Sequence, residues 1–135
     1  MQIGCIFADV KDKKFSWRKR AESFKYAFTG IKLLVWREHN ARIHTVVAVA
    51  VVVAGFYFGL SAMEWIAVAL CVGGVLAAEG FNSAIEELAD RITGDYDIAI
   101  KNAKDLASGA VLLFVMAAVA VGLVIFVPKI IDVFA

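Results

Sequence analysis

The sequence predicts an all-α membrane protein, and three observations carry that prediction. Of 135 residues, 61% are hydrophobic and only one is proline, an apolar share well above that of a soluble domain of this size. No charged residue stands between Thr45 and Met63, a run long enough to cross about 30 Å of hydrocarbon at about 1.5 Å per residue. Two further apolar stretches follow, one from Glu64 and Trp65, the other from about Leu106.

Taken in order, the elements are a surface helix and three spans. Residues 15–38 repeat apolar side chains at Phe15, Ala21, Phe24, Phe28, Ile31, Leu34 and Val35, with Arg18, Lys19, Arg20, Lys25 and Lys32 mostly on other faces. A basic amphipathic helix of this kind lies in the interface of an anionic leaflet. The spans are expected over about 43–60, 64–91 and 104–127, with a turn at Gly59-Leu60-Ser61-Ala62 and with Pro128 ending the last. No repeat or Gly/Ser linker divides the chain, so residues 1–135 read as one domain.

Charge distribution orients these elements. Of 14 Lys and Arg, all but Arg91, Lys101, Lys104 and Lys129 precede the first span, and the turn between spans one and two has none. The positive-inside rule then puts the N-terminus and the second loop in the cytoplasm of a multi-pass protein. The first ten residues lack a basic segment followed by a long apolar core, so no cleaved leader is expected. Cys5 and Cys71 are too few and too far apart for a disulfide framework or metal cluster and read as structural. His39 and His44 are likewise too loosely placed for a metal site, and no nucleic-acid partner is expected.

Chemistry concentrates in Glu79-Gly-Phe-Asn-Ser-Ala-Ile-Glu-Glu-Leu-Ala-Asp90, which ends an otherwise apolar span. A carboxylate at a membrane-helix centre costs about 2.5 to 3.5 kcal/mol and is therefore usually functional. At helical spacing Glu79, Asn82, Ser83, Glu86 and Asp90 share one stripe, with Glu87 at its edge as a solvated residue. Such a stripe faces protein. On a purely structural reading Asp90 is a partner of Arg91 or of a neighbouring helix, and Lys104 is a snorkelling anchor. The polar segment from Thr93 to Asp105 brings Lys104 and Asp105 close to the depth of Glu86.

Carboxylates, an amide and lysines at a water–lipid boundary suit phosphoryl transfer. Carboxylates hold Mg²⁺ on the β and γ phosphates, a lysine neutralises phosphate charge, and a further carboxylate takes the proton of an attacking hydroxyl. A lipid-facing site suggests a membrane alcohol as acceptor. The soluble-kinase motifs G-x-x-x-x-G-K-[ST], G-x-G-x-x-G, H-R-D and D-F-G are all absent.

Glu79-Gly-Phe-Asn82-Ser83-Ala-Ile-Glu86 through Asp90, followed by Ala103-Lys104-Asp105-Leu-Ala-Ser108-Gly-Ala-Val-Leu-Leu, resembles the motif of the prokaryotic diacylglycerol kinase family, which includes the undecaprenol kinases. The resemblance runs from about Phe15 to Val127. It implies a homotrimeric ATP:lipid phosphotransferase of the bacterial cytoplasmic (inner) membrane, with three spans, a surface helix and active sites shared between protomers. Glu79 matches the general base, and Glu86 and Glu38 match the carboxylates that hold the Mg²⁺ of MgATP. Asn82, Lys104 and Asp105 match further active-site positions, and Ser108 with Glu79 falls on the substrate side. Tyr26, Asp95 and Asp97 fall where the family approaches ATP, and Lys19 or Arg20 stands where relatives carry a basic residue that meets it.

Diacylglycerol is the favoured acceptor, with undecaprenol as the alternative. An ion-translocating or non-enzymatic membrane subunit is the rival class, but it would not need Asn82, acidic neighbours and the Lys104–Asp105 pair beside one carboxylate.

Overall fold

The computed structural model describes residues 16–92 and 94–135; Phe15, Cys5, the first ten residues and Thr93 lie outside them, as does the side chain of Lys19. Four helices follow one another: α1 Trp17–Arg37, α2 His39–Tyr57, α3 Ala62–Ile92 and α4 Ile98–Phe134. The last three are long and apolar enough to cross a membrane. The chain divides into two compact units, one ending at Ile31 and one running from Lys32 to Ala135.

In the first unit, α1 carries Trp17, Phe24, Tyr26 and Phe28 as exposed aromatic side chains. Arg18 and Glu22 pair across one turn at 3.4 Å, and the Thr29 hydroxyl donates to the Lys25 carbonyl at 2.9 Å.

In the second unit, α3 packs against both α2 and α4. Glu38 is the single residue between α1 and α2, and its extended backbone (φ −86°, ψ 122°) turns the chain into the first span. At the far end of α2, Gly59 takes φ 62°, Leu60 N–H donates to the Gly55 carbonyl and Gly59 N–H to that of Phe56. This double closure satisfies carbonyls the helix end would leave bare, and it needs a residue without a Cβ at Gly59. Helix α3 then starts with a capping box: Ser61 N–H donates to the Glu64 carboxylate at 2.7 Å, and Glu64 N–H to the Ser61 hydroxyl at 3.4 Å. Glu64 also pairs with Lys129 of α4 at 3.2 Å. The apolar core sits at this end, where buried Leu60, Val68 and Ile125 pack with Val51, Phe58, Trp65 and Phe126.

Two boundaries differ from the sequence expectation. Helix α4 begins at Ile98, because the Asp97 side chain accepts from Ala99 N–H at 2.7 Å and Ile100 N–H at 3.2 Å. The polar segment up to Asp105 therefore contains the first two turns of α4. Pro128 lies inside α4, which continues to Phe134. A helix forfeits one hydrogen bond at a proline, yet its fixed φ is itself helical, and no glycine or capping residue follows Pro128 to stop the chain.

Candidate functional site

At the end of the unit opposite the apolar core, three chain segments converge: the start of α2, the end of α3 and the start of α4. The acidic stripe of α3 is graded in burial along this approach. Glu79 is 3% exposed and Asn82 6%, Ser83 and Glu86 are half-buried, and Asp90 is exposed. Glu87 is exposed, as a solvated residue should be. Full burial of a carboxylate and an amide in so small a unit is costly unless polar partners meet them.

Part of that demand is met within the stripe. The Asn82 side-chain N–H donates to Glu86 Oε1 at 3.0 Å across one helical turn. The opposite atom, Asn82 Oδ1, is buried with no partner, as is Ser83 Oγ. Glu79 makes no ion pair among the described residues. His44 and Glu38, both from the α2 end, and Glu86 on α3 act electrostatically on its carboxylate. Within one protomer, then, Asn82 is bonded to Glu86, and Glu38 and Glu86 both act on Glu79.

The cationic side of the site is built by α4. Lys104 Nζ donates to Asp90 Oδ1 at 3.0 Å, tying α4 to α3, and it also feels the charge of Glu86. Lys101 pairs with Asp105 one turn along the same helix. An open pocket at this end is lined by Asp90, Asp95, Asp97, Lys101, Lys104 and Asp105, so these residues share one solvent-facing cleft. Asp97 lines it while its side chain caps the first turn of α4.

Ser108, one turn beyond Lys104, is exposed and lies outside that pocket lining. Tyr26 is exposed on the first unit, and α1 runs helically through Lys19. Three further groups join the site whose part in it the sequence does not assign. Asp90 pairs with a neighbouring helix, as a purely structural reading expects, but its partner is Lys104. Lys101 stands at i,i+4 spacing to Asp105, a signal that helical periodicity makes legible. His44 is too isolated to suggest a metal ligand, and its part next to Glu79 becomes visible only in the packing of α2 on α3.

Among the described residues no three His, Cys, Asp or Glu side chains converge as a ready metal cage. Magnesium ordinarily takes one or two carboxylates and fills its shell with phosphate and water oxygens. Glu86 and Glu38 offer carboxylate oxygens, and Asn82, bonded to Glu86 through its N–H, keeps Oδ1 unpartnered; the chemistry of this all-oxygen donor set fits that demand.

Comparison with known proteins agrees with this chemistry. The family model for prokaryotic diacylglycerol kinase matches residues 25–126. The chain is similar to an undecaprenol kinase of Bacillus subtilis, 38% identical over 121 residues that cover 90% of this chain and 98% of the relative. It is also similar to a diacylglycerol kinase of Synechocystis, 38% identical over 82% of this chain and 63% of the relative. A diacylglycerol kinase of Sinorhizobium is 31% identical over 78% of this chain and 77% of the relative. The chain belongs to the prokaryotic diacylglycerol kinase family of lipid kinases.

Proposed function

We propose that this lipid kinase uses Glu79 as the base that accepts the proton of a lipid hydroxyl during transfer of the γ-phosphoryl group of ATP. The observation that carries the reading is the position of Glu79: a carboxylate 3% exposed, free of any ion pair among the described residues, beside Glu38 and Glu86. A carboxylate used only for structure would be neutralised by a partner. In the transfer, the acceptor oxygen bonds to the γ phosphorus as the bond to the β–γ bridging oxygen breaks, ADP leaves, and the proton passes to Glu79.

Glu38 and Glu86 would hold Mg²⁺, which supplies charge neutralisation on the β and γ phosphates when bound. Asn82 holds the Glu86 carboxylate through its 3.0 Å hydrogen bond. Lys104 meets phosphate charge, Asp105 restrains Lys101, and Asp95 and Asp97 line the nucleotide side of the cleft. Lys19 and Tyr26 are assigned to ATP, and Ser108 to the acceptor side, on the family resemblance. Residues 1–135 form one catalytic domain in the bacterial inner membrane, its N-terminus cytoplasmic and α1 lying on the leaflet surface. The working unit is a homotrimer with shared sites.

Two acceptors fit. Undecaprenol is supported by the relative matched over 98% of its length, diacylglycerol by two relatives of that name. Phosphorylation of the two lipids side by side in mixed micelles with γ-labelled ATP decides between them. In the same assay Glu79→Gln is expected to lower kcat by about a hundredfold or more with KM for MgATP nearly unchanged. Full turnover of Glu79→Gln on both lipids would remove the base assignment.

A further inference from the structure

We propose that His44 is the positioning residue of the base, holding the Glu79 carboxylate oriented at the point where the polar site passes into the apolar groove between α2 and α4. This inference rests on the assignment of Glu79 as base. Helix α2 turns Ala41, His44, Thr45, Ala48, Val51 and Gly55 inward at the i, i+3, i+4, i+7 spacing of one face, and Ala41 and Gly55 on it are buried. His44 is therefore directed at α3. It is half-buried there, and it forms the polar end of a groove of about 220 Å³ whose other walls include Val47, Val51, Val75, Leu76 and Val119. Leu76 stands one turn before Glu79 on α3, so the groove ends where the acidic stripe begins.

Electrostatics single out this side chain. Three titratable groups act on Glu79 among the described residues: Glu38 at the α2 start, Glu86 on α3, and His44. Two are carboxylates that repel it, and only His44 can donate a hydrogen bond or carry positive charge. No direct ion pair joins His44 to Glu79 among the described residues, so the coupling between them would pass through a hydroxyl or a water. Apart from Cys71 the other side chains that line the groove are apolar, so the imidazole is the one side chain on this wall with an N–H to donate toward the carboxylate.

The test compares His44→Phe, which keeps a ring against the groove, with His44→Gln, which keeps a donor, in the full-length protein with both lipid acceptors. His44→Phe is expected to lower kcat by about tenfold or more while KM for MgATP stays within about twofold, and His44→Gln to recover part of the loss. Added to Glu79→Gln, His44→Phe is expected to cause no further loss, because a residue acting through Glu79 has nothing left to act on. Wild-type turnover of His44→Phe, a loss confined to KM for MgATP, or full additivity with Glu79→Gln would each overturn the proposal. If His44→Phe does not fold in micelles, the kcat of His44→Gln, alone and with Glu79→Gln, decides the same question. Activity of Glu79→Gln alone separates the two claims: full turnover there removes the base reading, while its loss with unaffected His44 variants removes only the role of His44.

Discussion

Asn82 shows how much chemistry one side chain carries at this site. Its N–H grips Glu86 while its carbonyl oxygen lies buried without a partner. Leaving a buried acceptor unmet costs about 1 to 3 kcal/mol, a penalty that a bound cation or its water shell would relieve. Asn82→Asp replaces the donor by a third carboxylate facing Glu86, so it is expected to raise the Mg²⁺ concentration needed for half-maximal rate, read from a metal titration of turnover. Asn82→Ala should lower kcat by about tenfold or more through a freed Glu86. Lys104 obeys a different balance. Its pair with Asp90 is substantially exposed on both sides, and such pairs contribute only about 0 to 1 kcal/mol. Lys104→Met is therefore expected to leave thermal unfolding in micelles nearly unchanged while raising KM for ATP, and a large loss of stability with normal KM would show a structural role instead. The acidic stripe is legible in the sequence because helical spacing alone aligns Glu79, Asn82 and Glu86. The gradient of burial along it is not, since that depends on where α2 begins against α3.

Among the elements, α3 is the one on which the others are built, and its contacts with its neighbours depend on glycine. A Cβ placed on Gly74 would stand 2.6 Å from the ring of Phe114 on α4, and one on Gly55 would stand 2.7 Å from Trp65. Gly74→Val is expected to destabilise the α3–α4 contact by about 1 to 3 kcal/mol, read as an earlier unfolding transition in micelles. Gly30 meets nothing within 4 Å, so Gly30→Ala should be neutral or raise stability by up to about 1 kcal/mol. The small pairs Gly73-Gly74 and Ala77-Ala78 are legible as packing surfaces, but which glycine faces which helix is not, because neighbours in sequence point in different directions on a helix. The same limit explains the displaced boundaries. Polar residues from Asp97 to Asp105 look like loop by composition, yet a side-chain cap on Ala99 and Ile100 starts the helix there. Length is then the telling quantity: the 37 residues of α4 span about 55 Å, well beyond a hydrocarbon core of about 30 Å, which leaves turns enough for Lys101, Lys104 and Asp105 to lie outside it.

For the whole molecule the open physical problem is the apolar surface that each protomer leaves uncovered. Along α3 the residues Ile66, Leu70, Gly73, Ala77, Phe81, Ala84 and Leu88 form an exposed stripe at helical spacing, on the face away from Glu79 and Asn82. Lipid can cover it, but glycine and alanine on a membrane helix also let a second helix approach closely. The proposed homotrimer would use such a face, its copies related by closed rotational symmetry. Co-refolding of two defective variants, assayed at MgATP far below the raised KM of Lys104→Met so that each alone turns over little, tests the sharing. In mixed trimers of Glu79→Gln and Lys104→Met, a site built from Glu79 of one protomer and Lys104 of the next is intact at one in four interfaces, so about a quarter of wild-type turnover should return. A site complete within one protomer gives no recovery above the separate variants, since every protomer then carries one lesion. Within the protomer, Glu38 and Glu86 act on Glu79, while Lys104 is joined to Asp90; the mixture therefore asks whether base and phosphate cation work across a subunit boundary. Gly73→Trp supplies the matching control on assembly: it should shift the particle to smaller mass in micelles by light scattering and abolish turnover together with it. An unchanged mass and rate would show that this face of α3 meets only lipid.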